Sequence, residues 1–399
     1  MSTREFDIIV YGASGFTGRL VAEYLAKRGI ERWAMAGRDA SKLESVRREI
    51  GAPESTPIVI ANARDAASIE AMARRAKVVI STVGPYQLYG EPLVAACAKT
   101  GADYVDLCGE PNWMAAMIAK YEAQARESRA RIVFSCGFDS IPFDCGVFYL
   151  QRQAQAQFGA PAQRVRGRVR RMKGTFSGGT LASMLATLEA GKRDPGVVKL
   201  MRNPFALSPE RGAQQPRDDG PIEDADLNAW AAPFVMAAIN TKNVHRSNAL
   251  MGYPYGRDFT YQEMQSAGAG DAGAKRARSM TNQGRTQMAL LAFAPTRALL
   301  RAFALPKPGQ GPSREARERG SYEVLFVGDL ADGRQIKVSV AGDRDPGYGS
   351  TSKMISEAAL CLAAECENTP GGVWTPAAAM GEALIARLQA HAGVTFQPA

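Results

Sequence analysis

Phe6-Asp7-Ile8-Ile9-Val10-Tyr11-Gly12-Ala13-Ser14-Gly15-Phe16-Thr17-Gly18 is the stretch that decides the fold. Five of the six residues before Gly12 are apolar or aromatic, as in a short strand buried on both faces. Gly12-x-x-Gly15-x-x-Gly18 then turns the chain, and Arg19–Lys27 carries Leu20, Val21, Tyr24 and Leu25 at helical spacing. Strand, glycine turn and helix together make a dinucleotide cradle. Glycines let the backbone approach a pyrophosphate, and the helix N-terminus turns its free N–H groups on that charge. Residues Gly12, Ala13, Ser14, Gly15, Phe16, Thr17 and Gly18 are therefore expected to hold a cofactor, against the competing reading of a ligand-free turn. The spacing is one residue wider than the common G-x-G-x-x-G, and no Gly-Lys-Ser/Thr follows, which excludes a P-loop.

The next strand, Trp33–Ala36, ends in Gly37-Arg38. An acidic residue at this distance holds the ribose 2′-hydroxyl of NAD, whereas an arginine clamps the 2′-phosphate of NADP. Arg38 occupies the position and Asp39 only follows it, so NADP is preferred over NAD. Ile58–Ala61 reads as a third strand, with Asn62 where an adenine-side contact would fall. Val78–Val83 reads as a fourth, broken at its carboxyl end by Gly84-Pro85-Tyr86, where open α/β sheets bind ligands. Val83, Gly84 and Pro85 join the expected cofactor site. Tyr104–Leu107 and Arg131–Ser135 supply two further strands, with helical segments between. This rhythm specifies an α/β fold, a Rossmann-type doubly wound parallel sheet.

The chain has 399 residues, 46% hydrophobic and 22% charged, enough for two domains with their own cores. MSTREF leads straight into the first strand, leaving no room for a signal peptide, and no apolar run reaches the ~18 residues of a membrane span. Six scattered cysteines without a C-x-x-C pair fit reduced thiols, so a cytoplasmic location is expected. With two histidines, His-rich metal sites and His-based triads are poor hypotheses, and no metal is expected. The net charge of +9 reads first as a solvated basic surface; no Lys/Arg run interleaved with aromatics argues for nucleic acid.

GASGFTG, the AGR after the second strand, STVGPYQLYGEP, YVDLCGEP and CGFDSIPFDCG occur in the order and spacing of one family. The chain resembles the saccharopine dehydrogenase-like oxidoreductases, and more narrowly their trans-acting enoyl reductase branch. SGGTLASML, Trp230–Ser247, DPGYGSTSKMISEAALCLA and GGVWTPAAAMGEALI extend the likeness over nearly the whole chain. Asn62 departs from it, since the resemblance leads us to expect Asp there. The resemblance implies a dinucleotide domain over residues 1–150, an α+β substrate domain with antiparallel or mixed sheet over 151–344, and helices within 345–399 that fold back on the first domain.

In the second half, Val165–Met172 alternates apolar and basic residues and reads as a strand with Arg166, Arg168 and Arg170 on one face. That face is either solvated or a docking surface for an acidic acyl carrier or a coenzyme A phosphate. Ser177-Gly178-Gly179-Thr180 opens a helix over Leu181–Ala190. Arg193–Asp226 reads as a long loop, and Met264–Arg278 as small, polar and exposed. Met288–Leu305 is the most apolar stretch: a buried helix pair, a pocket wall or a helix lying on a membrane surface. Asp332-Gly333 between Tyr322–Gly328 and Gln335–Ala341 marks a hairpin.

None of the 12 tyrosines heads a Tyr-x-x-x-Lys pair, which excludes short-chain dehydrogenase chemistry. Tyr86 and Asp139 are the catalytic candidates, with Tyr89 and Cys108 beside them at strand ends. Tyr86 would protonate the carbon next to a reduced double bond or simply pack on Pro85; Asp139 would act likewise or cap the CGFDSIP turn. The expected activity is NADPH-dependent reduction of an enoyl or related unsaturated acyl group of lipid or polyketide type. The alternatives are a saccharopine-type amino-acid dehydrogenase and a non-catalytic NADPH-binding scaffold or sensor at a lipid surface. Expected partners are a small-molecule or carrier-bound acyl substrate, an acidic acyl carrier protein, a peripheral membrane contact and a second copy of the chain.

Overall fold

The computed structural model describes residues 4–174, 178–293 and 311–399. Its first sheet grows outward from β1 (Phe6–Tyr11), whose apolar residues are buried on both faces. β1 lies between β2 (Trp33–Gly37) and β4 (Ala76–Ser81), with β3 (Ile58–Ile60) beyond β2. On the other side follow β5 (Asp103–Asp106), β6 (Arg131–Val133) and, from far along the chain, β13 (Gly372–Trp374). All seven strands are parallel. The order reverses at β1, and at that switch point the crevice opens beyond the strands' carboxyl ends.

Crossover helices start where local chemistry dictates. Asp39 caps α2 (Ala40–Glu49) by accepting the Lys42 N–H, and Asp65 caps α3 (Ala66–Arg75) by accepting the Ala67 and Ser68 N–H groups. Proline opens α6 (Pro111–Ser128) and sits in the first turn of α7 (Ile141–Phe158), where its absent N–H costs nothing.

α7 leaves this sheet and packs on a second one of seven strands. Its order is β14 (Val394–Pro398), β12 (Gln335–Gly342), β11 (Ser321–Asp329), β7 (Arg164–Lys173), β10 (Thr260–Gly268), β9 (Ala229–Pro233) and β8 (Ile222–Asp224). Only β7 and β10 pair in parallel; the other neighbours are antiparallel. The Asp332-Gly333 turn joins β11 to β12 as the sequence indicates, with Asp329 opposite Gln335.

Three readings of this half need correction. Arg166 and Arg168 form neither a solvated face nor a docking surface. Both are buried against Asp224: Arg166 Nη1 donates to its Oδ1 at 2.7 Å and Arg168 Nε to its Oδ2 at 2.9 Å. Asp226 and Asp329 both meet Arg166 Nη2, and of the three only Arg170 stays outside, near Glu323. The Arg193–Asp226 stretch holds the helix α9 (Pro195–Arg202) and strand β8. Met264–Arg278 runs through buried β10 into α11 (Gly270–Ala292). Of the apolar stretch Met288–Leu305, residues 288–293 finish α11 and lead out of it; the remainder lies outside the described residues.

Residues 345–399 contact both sheets. Helix Thr351–Ala364 packs on α1 (Phe16–Lys27) and β4, β13 extends the first sheet, and β14 extends the second. Buried Glu357 ties these pieces together, accepting from Tyr24 Oη at 2.7 Å, Arg28 Nε at 3.1 Å and Arg387 Nε at 2.8 Å.

Candidate active site

The glycine turn has the geometry its sequence requires. Gly12 sits at φ +91° and its carbonyl accepts the Gly15 N–H at 2.8 Å. A Cβ on Gly18 would stand 2.2 Å from the Gly12 oxygen, so backbone meets backbone here and only glycine fits. α1 starts at Phe16 with no side chain capping it, so its first-turn N–H groups remain available to an anion. Ala13, Ser14 and Thr17 complete the turn, and Thr82 and Val83 lie against Gly12. Arg38 stands exposed at the end of β2, without an ion-pair partner among the described residues. Asp39, the residue that would repel a 2′-phosphate, is occupied by capping α2 and by the Ser41 hydroxyl at 2.7 Å. These residues fit an NADP-type dinucleotide. Asn62 lies at the end of β3, its Oδ1 accepting the Arg64 N–H at 3.1 Å.

Next to the cradle, a cavity of about 550 Å³ runs from the carboxyl ends of the first sheet into a helical roof. At the sheet end it is lined by Thr17, Thr82, Gly84, Gly109, Asp139 and Thr351. The roof comes from α8 (Gly178–Arg193), α9, the start of α10 (Ala237–Leu250) and the end of α11. It is aliphatic: Met184, Leu188, Val198, Met201, Ile239 and Met288 face the space. Lys192 is its only lining cation among the described residues.

Tyr86 reaches this wall with its ring, but its hydroxyl points into the sheet. The phenol donates to the Ser81 carbonyl at 3.1 Å and accepts the Leu107 N–H at 3.1 Å. Burial and the nearby Asp106 hold its pKa far above the usual phenol value. The expectation that Tyr86 donates a proton is therefore corrected: the residue braces the loop after β4 against that after β5. Cys108 is buried too, its thiol pushed up by burial, and Tyr89 is not a lining residue.

Asp139 differs. It stands in the turn before α7, lines the cavity and forms no hydrogen bond or ion pair among the described residues. Burial alone pushes its pKa up to about 7. The turn is held by backbone, Ser140 and Ile141 N–H both donating to Gly137 O, so Asp139 is not needed as its cap. Asp106, also raised to about 7 by burial, instead accepts the Cys108 and Ser135 N–H groups and serves the loops.

Two buried links escaped the sequence reading. Glu110 accepts the Tyr86 and Gln87 N–H groups, each at 2.9 Å, and also the Ser183 hydroxyl of α8 at 2.5 Å. Gln87 Nε2 donates to Thr187 of α8 at 3.0 Å. The roof thus hangs on the loop that follows β4. Glu110 lies in the YVDLCGEP block, but its partners stand 23 to 73 residues away.

Residues 8–133 match the family described as Saccharopine dehydrogenase NADP binding domain. A protein of Mycobacterium tuberculosis strain H37Rv, named as a trans-acting enoyl reductase, is 42% identical over 99% of this chain and 97% of its own length. The chain belongs to the saccharopine dehydrogenase-like oxidoreductases. A trans-acting enoyl reductase of Mycobacterium ulcerans is 38% identical over 96% of each chain, and one of Mycobacterium bovis is 39% identical over 96% of each. In fold this member of the family is similar to apo saccharopine dehydrogenase (L-Glu forming) of Saccharomyces cerevisiae. That likeness has a TM-score of 0.56 at 10% identity, covering 98% of this chain and 99% of the other.

Proposed function

We propose that the protein is an NADPH-dependent reductase of an α,β-unsaturated acyl group. The observation that carries this reading is the cavity: an aliphatic roof closing on a sheet end with a single unpaired carboxyl, Asp139. An apolar tail fits the roof, with the reacting double bond at the sheet end, beside the cofactor cradle.

Gly12–Gly18 and the α1 N-terminus would hold the pyrophosphate, and Arg38 the 2′-phosphate that distinguishes NADPH. When bound, the reduced dinucleotide supplies a hydride to the β-carbon of the conjugated acyl group. The chain must then deliver a proton to the α-carbon and exclude water. Asp139 is the group suited to that transfer. With a pKa of about 7 it carries a proton in a large fraction of molecules near neutrality. The helical roof shields the reacting end from bulk water, and the Glu110 links fix it over the site.

Saccharopine-type chemistry is favoured less. It needs cations to hold substrate carboxylates, and Arg166 and Arg168 are spent on Asp224 within the second sheet. The test is oxidation of NADPH, followed by absorbance, with a series of 2-enoyl thioesters of increasing chain length. Turnover that improves with chain length and prefers NADPH to NADH supports the proposal; turnover with keto acids and amines but not enoyl thioesters overturns it.

A further inference from the structure

The rim of the cavity carries aliphatic side chains that the fold leaves in water. Val198 of α9 is 41% exposed, Val235 50% and Met288 of α11 40%, and all three line the cavity as well. Leu88, 64% exposed, is next to Gln87, whose side chain reaches Thr187 of α8 on the cavity wall. Lys192 Nζ donates to the Ala292 carbonyl at 2.6 Å, so the ends of α8 and α11 meet at this rim. Three large aliphatics that line one cavity and are still exposed differ from the single exposed apolar residues that any surface shows.

Cations accompany them on α8 and α9. Over Glu189–Arg202 the chain places Lys192, Arg193, Lys199 and Arg202 against two acids. Those acids are engaged locally: Asp194 accepts the Gly196 N–H at 2.7 Å, and Glu189 lies 3.7 Å from Arg193. Lys199 and Arg202, both exposed on α9, have no acidic partner among the described residues. α9 itself turns Val197, Val198 and Met201 towards the cavity.

We infer that this rim is a docking surface for an anionic lipid bilayer. Aliphatic side chains would enter the boundary between headgroups and acyl chains, while Lys199 and Arg202 lie against lipid phosphates. A bilayer suits the rim better than a protein carrier does, because the opening is walled by aliphatics. A carrier's polar tether would have to cross that wall, whereas a lipid tail would pass from one apolar medium to another. The purpose of the contact rests on the acyl reading of the cavity; the contact itself does not.

The test is co-sedimentation of the full chain with phosphatidylcholine vesicles, with and without phosphatidylserine, in the absence of substrate. Each cation near an anionic surface contributes roughly fivefold to partitioning. Lys199→Glu with Arg202→Glu should therefore weaken binding to the mixed vesicles by roughly 25-fold through the two lost cations alone, and further through the two added carboxylates. Leu88→Asp should weaken binding to both kinds of vesicle. NADPH fluorescence titration of each variant should be unchanged, which separates loss of the surface from loss of the fold. The inference is overturned if the wild-type chain does not sediment with the mixed vesicles, or if the variants bind as it does. It also falls if the wild type is a dimer that these substitutions dissociate, or if they abolish binding to an acidic acyl carrier protein while vesicle binding persists. Vesicle binding without enoyl turnover would overturn the proposed reaction and leave the surface standing.

Discussion

Replacing Asp139 with Asn separates the chemistry of this carboxyl from its burial. In the folded chain its pKa rises from 3.8 to about 7 through desolvation, with no hydrogen bond offsetting the shift. Unfolded, the same carboxyl loses its proton near 4. Between pH 4 and pH 7 the folded state therefore binds more protons than the unfolded one, and stability falls as pH rises through that window. Above pH 7 both states are ionised and the full cost persists. Three pH units correspond to about 4 kcal/mol, and because the cavity admits some solvent about half of that is the working figure. Asp139→Asn keeps the shape and removes the charge. In urea denaturation the variant should match the wild type at pH 4 and exceed it by about 2 kcal/mol at pH 8.5. Its rate of enoyl thioester reduction should fall by roughly 10² to 10⁴, the usual contribution of a positioned acid, while its affinity for NADPH stays the same. In the wild type kcat/KM should decline above pH 7 as the carboxyl ionises, and in the variant that decline should vanish. An Asn variant that keeps its rate within a factor of about three, or gains no stability at pH 8.5, would refute the argument.

Arg38→Ala should weaken NADPH binding about tenfold or more and leave NADH binding unchanged in fluorescence titrations, since a charge-assisted contact at an exposed site contributes ~1.5 kcal/mol. Gly18→Ala should abolish binding of both dinucleotides, because the added methyl meets the Gly12 carbonyl at 2.2 Å. Asp224→Ala should destabilise the second sheet by about 3–5 kcal/mol in denaturant titration, leaving Arg166 and Arg168 buried without their shared carboxylate. Glu110→Ala should raise KM for the enoyl thioester more than it changes NADPH affinity, since it releases α8 through Ser183.

What could be read in advance follows how local each interaction is. β1, the glycine turn and the following helix announce themselves because strand, φ > 0 turn and amphipathic helix are adjacent in sequence. The Asp332-Gly333 hairpin is equally local. Arg166 and Arg168 mislead because alternation shows a strand with two faces but cannot say which face is covered. Their partner Asp224 stands 56 to 58 residues on, in a segment whose proline, glycine and charge content resemble a loop. Tyr86 is a similar case. Its position at a strand end suits a proton donor, and only the carbonyl of Ser81 and the N–H of Leu107 show where the phenol points. The cavity roof is legible only in part, since its four helices come from three separated segments of the chain.

The place of β13 and β14 has a consequence for how the chain is made. β6 receives its outer neighbour from residues synthesised about 240 positions later, and β12 waits for β14. Until then the inner strands β6 and β12 stand as edges, their backbone donors and acceptors open to pairing with another chain. Maturation of both sheets thus depends on the same late stretch of the polypeptide. A ribosome stalled before Gly372 would hold two sheets of six strands each, with β6 and β12 uncovered.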